Sequence, residues 1–215
     1  MINMKFNEFN RNGSKSILLL PGYTKNKMYQ ENIISALKSN YHIIVPNISE
    51  CMEYDIEEVI SQIKAYLNNI CLNKIELVIG SSLGGHIAIR LLLDSEFEFK
   101  NVMVESTIYT EVNYLKVILR LAGSLKKNKM RLLESYYSQS LLCENFEGDT
   151  KLIICYGEKD SKYVKKTAKI LKKVFSNSLL FEFKGYGHCE LTTKHIFQLT
   201  KYINLIINHR YDELE

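Results

Sequence analysis

Short apolar runs recur along this chain, and most are followed by a longer stretch with helical periodicity. That alternation is the feature that most restricts the possible folds. Ser16 to Leu20 (SILLL) reads as a buried strand halted by Pro21-Gly22, and Tyr41 to Val45 (YHIIV) as a second, halted by Pro46. Ile75 to Ile79, Val102 to Val104, Leu152 to Tyr156 and Leu179 to Phe183 continue the series. Between them, Met28 to Lys38, the face Ile56, Val59, Ile60, Ile63 and Leu67, and the face Val164, Ala168, Leu171 and Phe175 read as helices. Asp55 opens the second of these with Glu58 three residues on, the pattern of a capping box. Gly84 to Leu93 carries few polar residues and reads as a deeply buried helix; Ile196, Leu199, Ile203 and Ile206 mark the last. This alternation of strands and helices implies a mostly parallel central sheet covered by helices on both faces. The expected class is therefore α/β, in a single domain over 1–215.

One stretch breaks the rhythm. No strand is evident between Val104 and Leu152, where Glu111 to Lys127 and Lys129 to Tyr137 read as amphipathic helices parted near Gly123-Ser124. This segment, about 107–148, is expected to be a small helical lid. Its apolar face, with Leu115 and Ile118, is expected to wall a substrate pocket.

Bulk properties narrow the function classes. The net charge is +4, and the lysines are interleaved with Asp and Glu, which describes a solvated surface and gives no sign of a nucleic-acid site. Apolar runs fall far short of the ~20 residues that span a bilayer, so no membrane association is expected. Met1 to Asn12 is polar and does not read as a signal peptide. Cys51, Cys71, Cys143, Cys155 and Cys189 form no CxxC pair, in keeping with reduced thiols and a cytoplasmic setting. Neither HExxH nor paired CxxC spacing occurs, and no glycine-rich phosphate loop, so neither a metal nor a cofactor is expected.

In a doubly covered parallel sheet, chemistry sits beyond the carboxyl ends of the strands. After Ile79 the chain reads Gly80-Ser81-Ser82-Leu83-Gly84-Gly85, a G-x-S-x-G pattern centred on Ser82. A nucleophilic serine on a sharp strand-to-helix turn needs positions two before and two after without side-chain bulk. With Ser81 at the centre those positions would be Ile79 and Leu83. Serine needs a base. His188, in Gly185-Tyr186-Gly187-His188, follows the last strand at the correct sheet edge. His42 lies in a strand, His195 and His209 belong to the last helix, and His86 reads as a structural residue of the buried helix. The imidazole in turn needs a carboxylate to fix its tautomer. Asp160 follows the strand Leu152 to Tyr156; Glu105 is the rival, after Val104, with Glu158 and Glu190 behind it.

With these residues in place the chain resembles the α/β-hydrolase superfamily. The stretches LLLPGY, GSSLGGHIA, LIICYGEKD and GYGHCE follow that superfamily's order from about Ser16 to Ile207. The order Ser82, Asp160, His188 is similar to its order of nucleophile, acid and histidine. The resemblance implies an oxyanion hole made by the backbone N–H groups of Leu83 and Tyr23. Pro21-Gly22 stands where many members have His-Gly, a departure from the HGGG type of oxyanion loop. The implied activity is cleavage of a carboxylic ester of a small or slender acyl group through an acyl-enzyme. Two alternatives stay open. One is a thioesterase acting on acyl-CoA or an acyl-carrier protein, met by the basic residues Lys116, Arg120, Lys126, Lys127, Lys129 and Arg131. The other is a binding protein that kept the fold without the activity.

Overall fold

The computed structural model describes residues 4–23, 28–94, 96–109, 130–138, 146 and 148–214. Seven strands form one sheet in the order β1-β3-β2-β4-β5-β6-β7. They are β1 (Phe6–Phe9), β2 (Ser16–Leu20), β3 (His42–Pro46), β4 (Lys74–Ser81), β5 (Glu98–Glu105), β6 (Lys151–Gly157) and β7 (Ser178–Phe183). All neighbours are parallel except β1 and β3, which pair antiparallel at one edge. The fold is α/β, as the sequence alternation implies.

Successive residues of the strands serve opposite cores, which is why the runs are apolar without alternation. Ile17, Leu19, Ile43, Leu77, Met103 and Ile153 face one core, completed by α1 (Met28–Leu37), α6 (Glu190–Thr193) and α7 (Ile196–Ile207). Leu18, Leu20, Ile44, Val78, Val102, Leu152 and Ile154 face the other. That side is covered by α2 (Ile56–Asn69), α3 (Leu83–Asp94), α4 (Arg131–Ser138) and α5 (Lys162–Val174). The capping box of α2 is present: Glu58 N–H donates to Asp55 at 3.0 Å and Asp55 N–H donates to Glu58 at 2.8 Å.

Strands β1 and β5 depart most from the sequence reading. Strand β1 lies in the polar N-terminal stretch; Phe6 stacks on Tyr66 with ring centroids 3.8 Å apart, and Glu8 meets both His42 and the Tyr66 hydroxyl. Strand β5 begins at Glu98, well before Val102, because the buried Asn101 side chain finds a partner for both its nitrogen and its oxygen. Its amide donates to the Glu76 carbonyl, and its oxygen accepts from the Tyr211 hydroxyl. Of the expected lid, α4 lies within the described residues, while Leu115 and Ile118 lie outside them. Arg131, counted among the basic residues of that segment, pairs with Asp55 and Glu58 at the start of α2.

Candidate active site

Four strand ends meet at the carboxyl edge of the sheet. Ser82 follows β4, Ser106 follows β5, Asp160 lies three residues past β6, and His188 lies in the loop after β7. Ser82 has φ +52°, a left-handed backbone that a residue with a Cβ adopts at a cost of roughly 1–2 kcal/mol. Crowding explains the flanking glycines. A Cβ on Gly84 would stand 1.9 Å from the Leu20 carbonyl oxygen, and one on Gly80 would stand 2.6 Å from the Gly84 carbonyl oxygen. The elbow is held by backbone bonds as well. Ser82 N–H donates to the Glu105 carbonyl at 2.8 Å, and the Ser82 carbonyl accepts from the Thr107 hydroxyl at 2.8 Å.

Ser82, His188 and Asp160 form one hydrogen-bonded chain. Ser82 Oγ lies 3.1 Å from His188 Nε2, and His188 Nδ1 lies 2.7 Å from Asp160 Oδ1. The other carboxylate oxygen of Asp160 accepts from the Ser106 hydroxyl at 2.6 Å and the Gly157 N–H at 2.9 Å. Burial pushes the Asp160 carboxyl up. The bonds from His188, Ser106 and Gly157 outweigh it and hold the group below the ordinary carboxylate range. An ionised Asp160 accepts from Nδ1–H, so the neutral imidazole presents Nε2 as an acceptor to the Ser82 hydroxyl. The Asp160 side chain is wholly buried, whereas that of His188 is half exposed and open to an incoming molecule.

The implied oxyanion donors flank this chain. Leu83 follows Ser82 at the start of α3 and is buried. Tyr23 follows Gly22, whose backbone runs so close to the elbow that a Cβ there would lie 3.3 Å from Ser82 Cβ. Leu83 also begins a helix whose unpaired amides favour negative charge at this point.

The rival residues have other partners. Glu105 is buried, and its two oxygens accept from the N–H groups of Leu191 at 2.8 Å and Thr192 at 3.0 Å. Glu158 accepts from Gly185 N–H, and Glu190 from Gly187 N–H. His86 is fully buried, bonds the Ile108 carbonyl through Nδ1 at 3.1 Å and stacks on Tyr109. His195 stacks on Tyr186, and His42 pairs with Glu8. Cys189, next to His188, is buried, and that burial pushes its thiol well above the usual range, so it stays protonated. Cys143 lies outside the described residues. Among the described residues, no group of three or more His, Cys, Asp and Glu side chains is placed to hold a metal ion. No described helix is long and apolar enough to cross a membrane.

Ser106 was not reached from the sequence. The signal available is its position: Glu105-Ser106-Thr107 is a polar triplet at the carboxyl end of β5, the strand beside β4.

Solved structures share this architecture. An α/β-hydrolase family protein from Desulfitobacterium hafniense superposes with a TM-score of 0.80 at 16% identity, covering 95% of this chain and 100% of its own. A thermophilic esterase from Thermogutta terrifontis gives 0.74 at 11% identity, with 96% and 93% covered. A carboxylesterase of the ammonia-oxidizing thaumarchaeon Nitrososphaera gargenis gives 0.70 at 12% identity, with 96% of each chain covered. The fold is thus that of the α/β-hydrolases. Within it, a family model matches residues 21–169, and the chain belongs to the uncharacterised protein family UPF0227. A comparison with curated proteins finds no match.

Proposed function

We propose that this protein is a serine hydrolase that cleaves a carboxylic ester through an acyl-enzyme. The observation that carries the reading is the continuous contact Ser82–His188–Asp160 on a left-handed elbow. His188 Nε2 takes the Ser82 proton as Ser82 Oγ attacks the substrate carbonyl. Asp160 holds the imidazole in the required tautomer and stabilises its cation. The amides of Leu83 and Tyr23 receive the oxyanion, each worth about 3–4 kcal/mol in the transition state. His188 then protonates the departing alcohol, and in the second half-reaction it activates water against the acyl-Ser82 ester. The esterases among similar folds support the substrate class. The ion pairs of Arg131 leave that residue engaged with α2, which does not favour a phosphate-bearing carrier at that position.

The test is a fluorophosphonate probe, followed by peptide mass spectrometry and by hydrolysis of p-nitrophenyl esters of graded chain length beside acyl-CoAs. Labelling at Ser82 together with ester turnover is the expected result. Failure to label, with no turnover of any ester or thioester, would leave the binding-protein reading in its place.

A further inference from the structure

Asp160 and His188 have their direct bonds, yet the loop that carries His188 leaves β7 and must return to the nucleophile. What fixes that return lies on β5. Directly after His188, Cys189 takes a left-handed backbone at φ +56° and opens the one-turn helix α6. Two α6 amides, Leu191 N–H and Thr192 N–H, point at the buried Glu105 carboxylate, one to each oxygen. A third amide, Cys189 N–H, donates to Ser106 Oγ at 3.0 Å, and that same hydroxyl donates to Asp160 Oδ2. Meanwhile the Glu105 carbonyl accepts the Ser82 N–H. A further contact ties α6 to the nucleophile strand: the Ser81 hydroxyl bonds Thr192 Oγ1 at 3.1 Å.

The consecutive residues Glu105 and Ser106 therefore touch the backbone of the nucleophile, the acid, and the segment that follows the base. We infer that Glu105, acting with Ser106, is the positioning unit of the triad: it sets the reach of His188 toward Ser82 by anchoring α6. This rests on the serine-hydrolase reading and adds residues that the triad does not contain. The chemistry suits the task. A carboxylate buried in an apolar layer is costly unless each oxygen is matched by a donor. The side chain and the two amides thus specify one position of α6, and small displacements cost more here than with a neutral acceptor. Burial pushes the Glu105 carboxyl above the ordinary carboxylate range; the bonds from Thr192 and Leu191 offset only part of that rise, and the Asp160 charge adds to it. His188 lies three residues before Leu191, the first amide of this anchor, so a shift of α6 passes directly to the imidazole.

The inference separates from a merely structural role by kinetics per active site. Glu105→Gln puts an NH₂ group against an amide donor, and Glu105→Asp keeps the charge while shortening the reach. Each variant is titrated with a fluorophosphonate burst so that only folded, reactive sites are counted. Expected for Glu105→Gln is a fall in kcat of ~10²-fold, the cost of a small misplacement, with KM unchanged to within about twofold. Glu105→Asp should recover part of that loss. The far-downfield proton signal of the His188 Nδ1–H···Asp160 bond should broaden or vanish in Glu105→Gln. If Glu105→Gln does not fold, Ser106→Ala carries the test and should lower kcat per titrated site about tenfold or more. Wild-type kcat per titrated site with an unchanged proton signal, in whichever variants fold, would overturn the inference alone. A wild-type protein that neither labels at Ser82 nor turns over ester would instead overturn the hydrolase reading and this inference with it.

Discussion

Replacing Asp160 by Asn tests the proposed site most sharply, because the surroundings dictate how the amide must lie. Two donors, Gly157 N–H and the Ser106 hydroxyl, address Oδ2. Ser106 cannot turn away freely, since its oxygen already accepts from Cys189 N–H. The asparagine oxygen is therefore held at the Oδ2 position, and its NH₂ falls at Oδ1, facing His188 Nδ1. Nδ1 must then accept, which moves the ring proton to Nε2, against the Ser82 hydroxyl. In that tautomer the base has no lone pair for the serine proton. Turning the amide over would restore the tautomer but set an NH₂ group against two donors. Each unmade bond costs about 1–3 kcal/mol, so the productive state lies roughly 2–6 kcal/mol higher, or about 30-fold to 10⁴-fold in rate. Loss of the charge that steadies the imidazolium adds to this, and the total falls near the ~10⁴-fold known for Ser-His-Asp sites in general. The assay is kcat/KM on a short p-nitrophenyl ester, with circular dichroism to confirm the fold. An Asp160→Asn variant within tenfold of wild type, beside an inactive Glu105→Gln, would refute this assignment and move the acid to β5.

Ser82→Ala should abolish turnover and fluorophosphonate labelling while shifting stability little, since alanine carries the same Cβ into the left-handed conformation; thermal unfolding and the labelling assay check both halves. Gly84→Ala places a Cβ 1.9 Å from the Leu20 carbonyl oxygen, a backbone atom, so α3 must move; a loss of about 1–3 kcal/mol in urea unfolding and a slower labelling rate are expected. Asp160 has its folded pKa below the unfolded value of ~3.9. In that window the unfolded state binds more protons, so the stability from its ionisation is present above ~3.9 and lost as pH falls through the folded value. Urea unfolding of wild type and Asp160→Asn, from about pH 6 to about pH 3, should therefore show the wild-type advantage shrinking on acidification. A gap that stays constant would mean that Asp160 is not held below its ordinary range.

Ser82, Asp160 and His188 could be picked out from the sequence because each stands a fixed short distance beyond an apolar strand, and position relative to a strand end is local information. The same holds for the capping box of α2, whose two partners are three residues apart. Strand β1 could not be read, because its support comes from Tyr66 and His42, far along the chain. Asn101 broke the apolar run of β5 for a similar reason: only the folded chain brings Tyr211 to its side-chain oxygen.

Glu105 shows most clearly where local reading stops. As a sequence feature it is an acid at a strand end, the rival to the favoured Asp160 for the same role. What separates the two is which donors reach them. Asp160 meets an imidazole whose other ring nitrogen faces the Ser82 hydroxyl; Glu105 meets two backbone amides. A carboxylate facing amides can hold a segment in place but has no proton to exchange with it, whereas one facing an imidazole can set its tautomer. The division of labour proposed for these two acids, one at the end of β5 and one just past β6, thus rests on the path of residues 188–192, a segment whose own sequence announces only the histidine.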